Sequence, residues 1–167
     1  MEKITPFLWF NDQAEEAASF YVDVFTTRRV SHAGGGDSKI LEVSRYGEGG
    51  PGAPGSAMTV SFAIDGQEFT ALNGGPSHTF SEAISFVVRC DSQDEVDQLW
   101  AALSEGGEEG PCGWLKDRFG LSWQIVPNRL MELLGDPDPE RSGRVMQAML
   151  QMSKIDVPTL ERAAEAA

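Results

Sequence analysis

Short apolar stretches alternate with amphipathic ones along the chain, and the same order of elements occurs twice. The apolar stretch ITPFLWF (residues 4–10) predicts a strand, and NDQAEEAASFYVDVF (11–25) has apolar residues at helical spacing. In the second half, AISFVVRC (83–90) and DSQDEVDQLWAAL (91–103) repeat this order. The pattern therefore predicts two copies of a unit that begins with a strand and a helix.

Extended segments follow both predicted helices, so each copy reads strand, helix and then two or three antiparallel strands. Two hairpins are predicted, one with its turn at Asp65-Gly66 and the other with its turn at Arg118-Phe119-Gly120. Capping boxes are expected at the two helix starts, Asp12 with Glu15 and Ser92 with Glu95. The further predicted strands are RRVSHA (28–33), KILEVSRY (39–46), SAMTVSFAID (56–65), QEFTALN (67–73), EEGPCGWLKD (108–117) and GLSWQIVP (120–127).

Beyond Pro127 the character of the sequence changes. Prolines break this part into three short helices, within 128–136, 139–152 and 156–166. We therefore predict one structural domain with three segments, residues 1–75, 76–128 and 129–167. A glycine-rich stretch at 47–56 predicts a mobile loop between two strands. One helix face is expected to carry Met146, Met149 and Met152. This face is expected to pack either on the rest of the chain or on a partner subunit.

Composition and charge narrow the function classes. The 167 residues carry a formal net charge of −13, which argues against binding nucleic acid or anionic lipid. The chain has no run of about 18 apolar residues and no secretory signal at its start, so we expect no membrane association and a cytoplasmic location. Both cysteines, Cys90 and Cys112, are expected to remain thiols, and Cys90 is expected in the core.

The stretch CGWLKDRFGLSWQIVP (112–127) holds the most unusual residues of the chain. Gln124 lies in an apolar run, and a buried amide without partners costs about 1–3 kcal/mol. It therefore either faces a cavity or finds a partner within the core. Alternation places Ser122 and Val126 on its side of the strand and Trp123 on the other. Trp114 is then the better candidate for a cavity wall.

Several long strings resemble the PhnB-like family, whose members are described as 3-demethylubiquinone-9 3-methyltransferases. This family belongs to the vicinal oxygen chelate superfamily, with glyoxalase I, bleomycin-resistance proteins and extradiol dioxygenases. The resemblance implies an α+β fold of two βαβββ modules, which enclose a cavity and often form homodimers. The strings are FLWFNDQAEEAASFY, NGG, EAISFVVRCDSQDEVDQLWAALSEGGEE, CGWLKDRFGLSWQIVP and VMQAMLQMSKIDVPTLERA.

In metal-dependent members of this superfamily, side chains from the first and last strand of each module bind a cation. By register, the resemblance places these positions near Pro6, at Phe69 or a neighbour, at Ala83 or Ser85, and at Gln124. Only Gln124 is a plausible ligand, and one neutral amide does not hold a metal. Neither of the two histidines, His32 and His78, lies near any of these positions, and both are expected at the surface. The resemblance thus implies a metal centre that has been lost, and no cofactor.

The candidate catalytic groups are sparse. A methyltransferase of the usual kind needs a glycine-rich turn between a strand and a helix, yet GGGD (34–37) and NGG (73–75) lead into no predicted helix. Asp117 and Glu68 lie near predicted turns and are expected to be solvated.

The favoured interpretation is a protein that binds a small aromatic or hydrophobic molecule in a metal-free cavity. The alternative is an enzyme, either a metal-dependent lyase or dioxygenase or the methyltransferase of the family name. The cavity wall is expected to include Gln124, Trp114, Ser85, Asn73, Phe69 and Cys112.

Overall fold

A computed structural model of the protein describes residues 4–27 and 36–166. The chain divides into two compact units, residues 1–80 and 81–167. The predicted strand at 28–33 lies outside the described residues.

The first unit contains a four-stranded sheet and one helix. The sheet has the strand order β1-β4-β3-β2; β1 and β4 are parallel and the other neighbours are antiparallel. Because one helix follows the first strand and three strands complete the sheet, the unit is βαβββ. In chain order its elements are β1 (Phe7–Phe10), α1 (Ala14–Thr27), β2 (Lys39–Arg45), β3 (Ala57–Ile64) and β4 (Gln67–Asn73).

The second unit repeats this topology. Its sheet has the order β5-β8-β7-β6, and β5 and β8 form the parallel pair. The predicted pair of βαβββ units and the α+β class are therefore confirmed. The elements are β5 (Phe86–Cys90), α2 (Gln93–Ser104), β6 (Glu108–Glu109), β7 (Trp114–Lys116) and β8 (Ser122–Pro127).

Three short helices follow β8, as predicted: α3 (Asn128–Leu134), α4 (Pro139–Met149) and α5 (Val157–Glu165). They pack in the second unit around an apolar cluster, against which Met149 and Met152 also lie. Met146 is 42% exposed, so the methionine face is only partly covered. The cluster joins β8 to these helices through Val126, Leu130, Leu133, Val145, Ile155, Leu160 and Ala164.

Each sheet buries one face against the helix of its own unit. In the first unit, Tyr21 of α1 stacks on Phe62 of β3, and both are fully buried. In the second unit, Leu99 of α2 and Leu115 and Ile125 of the sheet are buried. We call the opposite side of each sheet its open face, which carries the exposed residues that alternate with the core.

Local signals in the sequence explain how these elements begin and turn. Asp65 and Gly66 have φ angles of 52° and 84°, the left-handed values that a two-residue hairpin turn of this kind requires. At α2, Ser92 Oγ accepts from Glu95 N, and the buried Glu95 carboxylate accepts from Asp91 N. The predicted turn and the Ser92 cap are confirmed, whereas the Glu95 carboxylate returns to the N–H of Asp91 and not to that of Ser92.

Asp117 is buried, and the expectation that it would be solvated is wrong. Its Oδ1 accepts hydrogen bonds from the backbone N–H groups of Phe119 and Leu121, at 2.8 and 3.1 Å. Its Oδ2 accepts from Trp123 Nε1 at 2.8 Å, and the residue is only 3% exposed. The carboxylate therefore holds together the turn and the indole that follows it in β8.

We predict that Asp117→Ala lowers the free energy of unfolding by about 3 kcal/mol, because buried donors lose their acceptor. Asp117→Asn keeps one oxygen and should cost about half as much. Urea denaturation followed by circular dichroism measures both values. Gln98→Ala, at an exposed position of α2, is the control and should change stability by less than about 0.5 kcal/mol. A small effect of Asp117→Ala would contradict this role.

Candidate functional site

The open face of the second sheet brings together three residues from neighbouring strands. Gln124 of β8 pairs with Trp114 of β7 on one side and with Val87 of β5 on the other. Directly paired residues point to the same face of a sheet, so the three side chains lie side by side. Val87 is 49% exposed, whereas Trp123, on the other face, is buried. The predicted alternation along β8 is therefore confirmed.

Gln124 finds a partner just before the neighbouring strand. Its Nε2 donates to Ser85 Oγ at 2.9 Å, and both residues are half-buried. Among the described residues, the Gln124 side chain makes this single hydrogen bond. The amide therefore joins β5 to β8 on the open face and keeps some contact with solvent.

A cavity of about 340 Å³ lies at the same open face, towards β6 and β7. We call it the second-unit cavity; Trp114 forms part of its wall. Ser122 also lines it and is only 1% exposed, and its hydroxyl has no hydrogen-bond partner within residues 4–27 and 36–166. A buried hydroxyl without a partner costs free energy, so this group is available to a ligand or a water molecule.

Charged side chains line the rest of the second-unit cavity. Lys116 forms ion pairs with Glu82 and, at 3.8 Å, with Glu108. The hydrogen bond with Lys116 lowers the pKa of Glu82, and the same bond raises the pKa of Lys116. Both groups are therefore charged at neutral pH. Glu109 Oε1, in contrast, accepts from Trp100 Nε1 of α2 at 3.0 Å, and Glu109 pairs with Leu115, so its carboxylate lies on the face that the helix covers.

A larger cavity, about 530 Å³, lies in the first unit, where Trp9 and Tyr46 form part of its lining. Trp9 Nε1 donates to the carbonyl oxygen of Gly75, and the Tyr46 hydroxyl donates to that of Asn73. A Cβ on Gly74 would overlap the Trp9 ring, and one on Gly52 would overlap the Tyr46 ring. These glycines let the backbone approach both rings closely, so the Tyr46 ring packs on the glycine-rich loop at Gly52 and the Trp9 ring packs on the segment Gly74-Gly75.

Asn73 lines the first-unit cavity, but its amide serves the backbone. Its Oδ1 accepts from Ala14 N at the start of α1, at 2.7 Å, and its Nδ2 donates to the Ala57 carbonyl, at 3.0 Å. The structure thus gives Asn73 a helix-capping role at α1, where the sequence suggested Asp12.

Two other predicted wall residues are engaged elsewhere in their units. Phe69 is 6% exposed and stacks on Phe62 with ring centroids 5.3 Å apart, on the face that the helix covers. Cys112 has a left-handed φ of 56°, and its N–H donates to the Met152 carbonyl at 2.7 Å. Neither is among the residues that line the second-unit cavity. His78 is exposed and meets the Trp9 ring edge-on, whereas His32 lies outside the described residues.

The residues at the metal-ligand positions of the superfamily do not fit a cation. On the open faces, the first and last strands pair Phe7 with Thr70 and Val87 with Gln124. These side chains offer one amide and one hydroxyl, whereas divalent cations need several carboxylate, imidazole or thiolate ligands. Within the described part of the chain, no group of three or more His, Cys, Asp or Glu residues could hold a metal ion. That the protein works without a metal remains a prediction.

Solved structures of other proteins share this architecture. A PhnB protein from Bacillus cereus, provisionally described as a 3-demethylubiquinone-9 3-methyltransferase, is 34% identical, with 75% of this chain and 99% of that chain covered and a TM-score of 0.63. The protein PA1353 from Pseudomonas aeruginosa is 22% identical, with 76% and 98% covered and a TM-score of 0.58. The fosfomycin resistance protein FosX from Listeria monocytogenes is 13% identical, with 79% and 97% covered and a TM-score of 0.51. Among curated proteins, no match is found.

The repeated βαβββ unit and these likenesses define a protein of the vicinal oxygen chelate superfamily. Residues 2–126 match the profile of the 3-demethylubiquinone-9 3-methyltransferase family, and the chain belongs to this PhnB-like family. The family name suggests a methyltransferase, but the fold is not one. The usual nucleotide pocket of such enzymes lies at the strand ends of a doubly wound parallel sheet, whereas both sheets here are mixed.

Among the helices of residues 4–27 and 36–166, none combines the length and the hydropathy needed to cross a bilayer.

We predict that Gly74→Ala lowers the free energy of unfolding by about 2 kcal/mol, because the new Cβ meets the Trp9 ring in a packed site. Gly47→Ala is the matched control, since a Cβ there has nothing within 4 Å. Chemical denaturation of the two variants beside the wild type measures the difference. Equal stabilities would show that the loop yields without cost.

Proposed function

We propose that the protein binds a small aromatic or hydrophobic molecule, without a metal, in the second-unit cavity. The Ser122 hydroxyl carries this proposal, because it is buried at the cavity wall and has no partner among the described residues. A ligand that brings a polar group to Ser122 removes the cost of that unpaired hydroxyl. The volume of about 340 Å³ lies within the range of small-molecule sites.

Trp114 supplies the apolar surface of the proposed site. Its ring is half-buried and lines the cavity beside Ser122. A flat aromatic ligand that covers such a ring gains the burial of both apolar surfaces and a favourable ring contact. Gln124 and Ser85, on the same open face, form a neighbouring polar edge that orients the ligand.

We further propose that the protein forms a homodimer. Exposed apolar side chains on both sheets support this assembly: Phe7 is 60% exposed and Val87 49%. Apolar residues exposed in this way are common where a partner covers a surface. We therefore expect light scattering after size-exclusion chromatography to give twice the chain mass of 18.1 kDa. A mass of one chain across micromolar concentrations would contradict the dimer.

The ligand-binding test uses indole as a probe. We predict that indole shifts the NMR signals of ¹⁵N-labelled protein around the second-unit cavity, and that Trp114→Ala weakens its binding about threefold to tenfold, because one ring contact is lost. Met131→Ala removes an apolar side chain that is 47% exposed on α3, away from the cavity, and should leave the dissociation constant unchanged.

Three outcomes of these experiments would favour other functions. If the wild type and Trp114→Ala bind indole equally tightly, the ligand does not bind in this cavity. Stoichiometric zinc, nickel, manganese or iron that survives dialysis would favour a metal-dependent lyase or dioxygenase. Calorimetric binding of S-adenosylmethionine would favour the methyltransferase of the family name.

A further inference from the structure

The ligand class follows from the charges around the second-unit cavity, in an inference that rests on the proposed function. We infer that the ligand is an aromatic molecule with a positively charged amine, which lies among the carboxylates of the cavity while its ring contacts Trp114. The rim holds the carboxylates of two glutamates, Glu82 and Glu108, and one lysine, Lys116. Two negative charges and one positive charge leave a formal charge of −1 at the site.

The lysine of the cavity is already paired. Lys116 contacts Glu82 and Glu108, so its charge is largely satisfied before any ligand arrives. An anionic ligand would have to compete with Glu82 for this ammonium group. The chain as a whole carries a formal net charge of −13, which further disfavours the approach of anions and favours that of cations.

Glu108, in contrast, retains capacity to accept hydrogen bonds. The Glu108 carboxylate meets Lys116 only at 3.8 Å, longer than a hydrogen bond. An ammonium group, which offers three donors and no acceptor, suits such acceptors.

Ser122 gives an independent reason to expect a polar ligand group here. Its buried hydroxyl oxygen has no partner in the described part of the chain, although the residue lines the same cavity. Ser122 pairs with Lys116 across β7 and β8, so it lies on the open face with the charged groups. The Trp114 ring adds a face that attracts cations. The carboxylates and the indole therefore favour a cationic ligand, and the hydroxyl can accept a hydrogen bond from its ammonium group.

Three probes with the same ring system test the charge preference. Tryptamine is a cation at pH 7, tryptophol is its neutral counterpart, and indole-3-acetate is an anion. We expect tryptamine to bind at least threefold more tightly than tryptophol, and indole-3-acetate at least threefold more weakly. The preference should shrink at 0.5 M NaCl, because salt screens exposed charges. Chemical-shift titration of the full chain measures all three dissociation constants.

Two variants locate the preference. Glu108→Gln should reduce the ratio of the tryptophol and tryptamine dissociation constants about twofold, while tryptophol binds as before. Glu68→Gln removes an exposed carboxylate in the first unit and should leave the ratio unchanged. Ser122→Ala should weaken tryptamine binding and leave the affinity for indole, which lacks the amine, nearly unchanged.

The outcomes separate this inference from the proposed function. If tryptophol binds as tightly as tryptamine, or if indole-3-acetate binds most tightly, the charge preference is wrong. The binding site still stands in that case, provided that Trp114→Ala weakens the binding of tryptophol. If none of the three probes shifts signals around the cavity, the proposed function fails and this inference fails with it.

Discussion

The parallel pairing of the first strand with the last strand determines the architecture of each unit. Neighbouring parallel strands cannot be joined by a tight turn, so the chain must cross over before it returns, and here the crossover contains the helix and the other two strands. The last strand therefore lies between two neighbours, as β8 does between β5 and β7. Gln124 consequently has a residue beside it on each side, Val87 and Trp114. The candidate site is a direct product of this pairing.

Much of the fold can be predicted from the sequence because its signals are local. Alternation along β8, the capping box of Ser92 and Glu95 and the Asp65-Gly66 turn depend on residues that are close in the chain. The burial of Asp117 could not be predicted in this way. A turn aspartate is usually solvated, and only the fold brings the Trp123 N–H close enough to the carboxylate to replace water.

The site was harder to predict than the fold, because a shift of one residue reverses the face of a strand. Phe69, chosen by register, faces the helix, whereas its neighbour Thr70 pairs with Phe7 on the open face. Ser122 could have been found, since alternation places it beside Gln124. The glutamates could not, because Glu82 lies outside every strand and meets Lys116 only through the fold.

The bond between Gln124 and Ser85 gives the neighbouring polar edge a direction. The amide nitrogen is the donor and the serine oxygen the acceptor, so the hydroxyl hydrogen of Ser85 must point away from the amide. The glutamine carbonyl remains a second acceptor. The strand pair thus presents one donor and one acceptor in a fixed order. A ligand that carries the complementary acceptor and donor along one edge can hydrogen-bond to both groups in only one orientation. The pair can therefore select one of the two ways round in which a flat ring could lie.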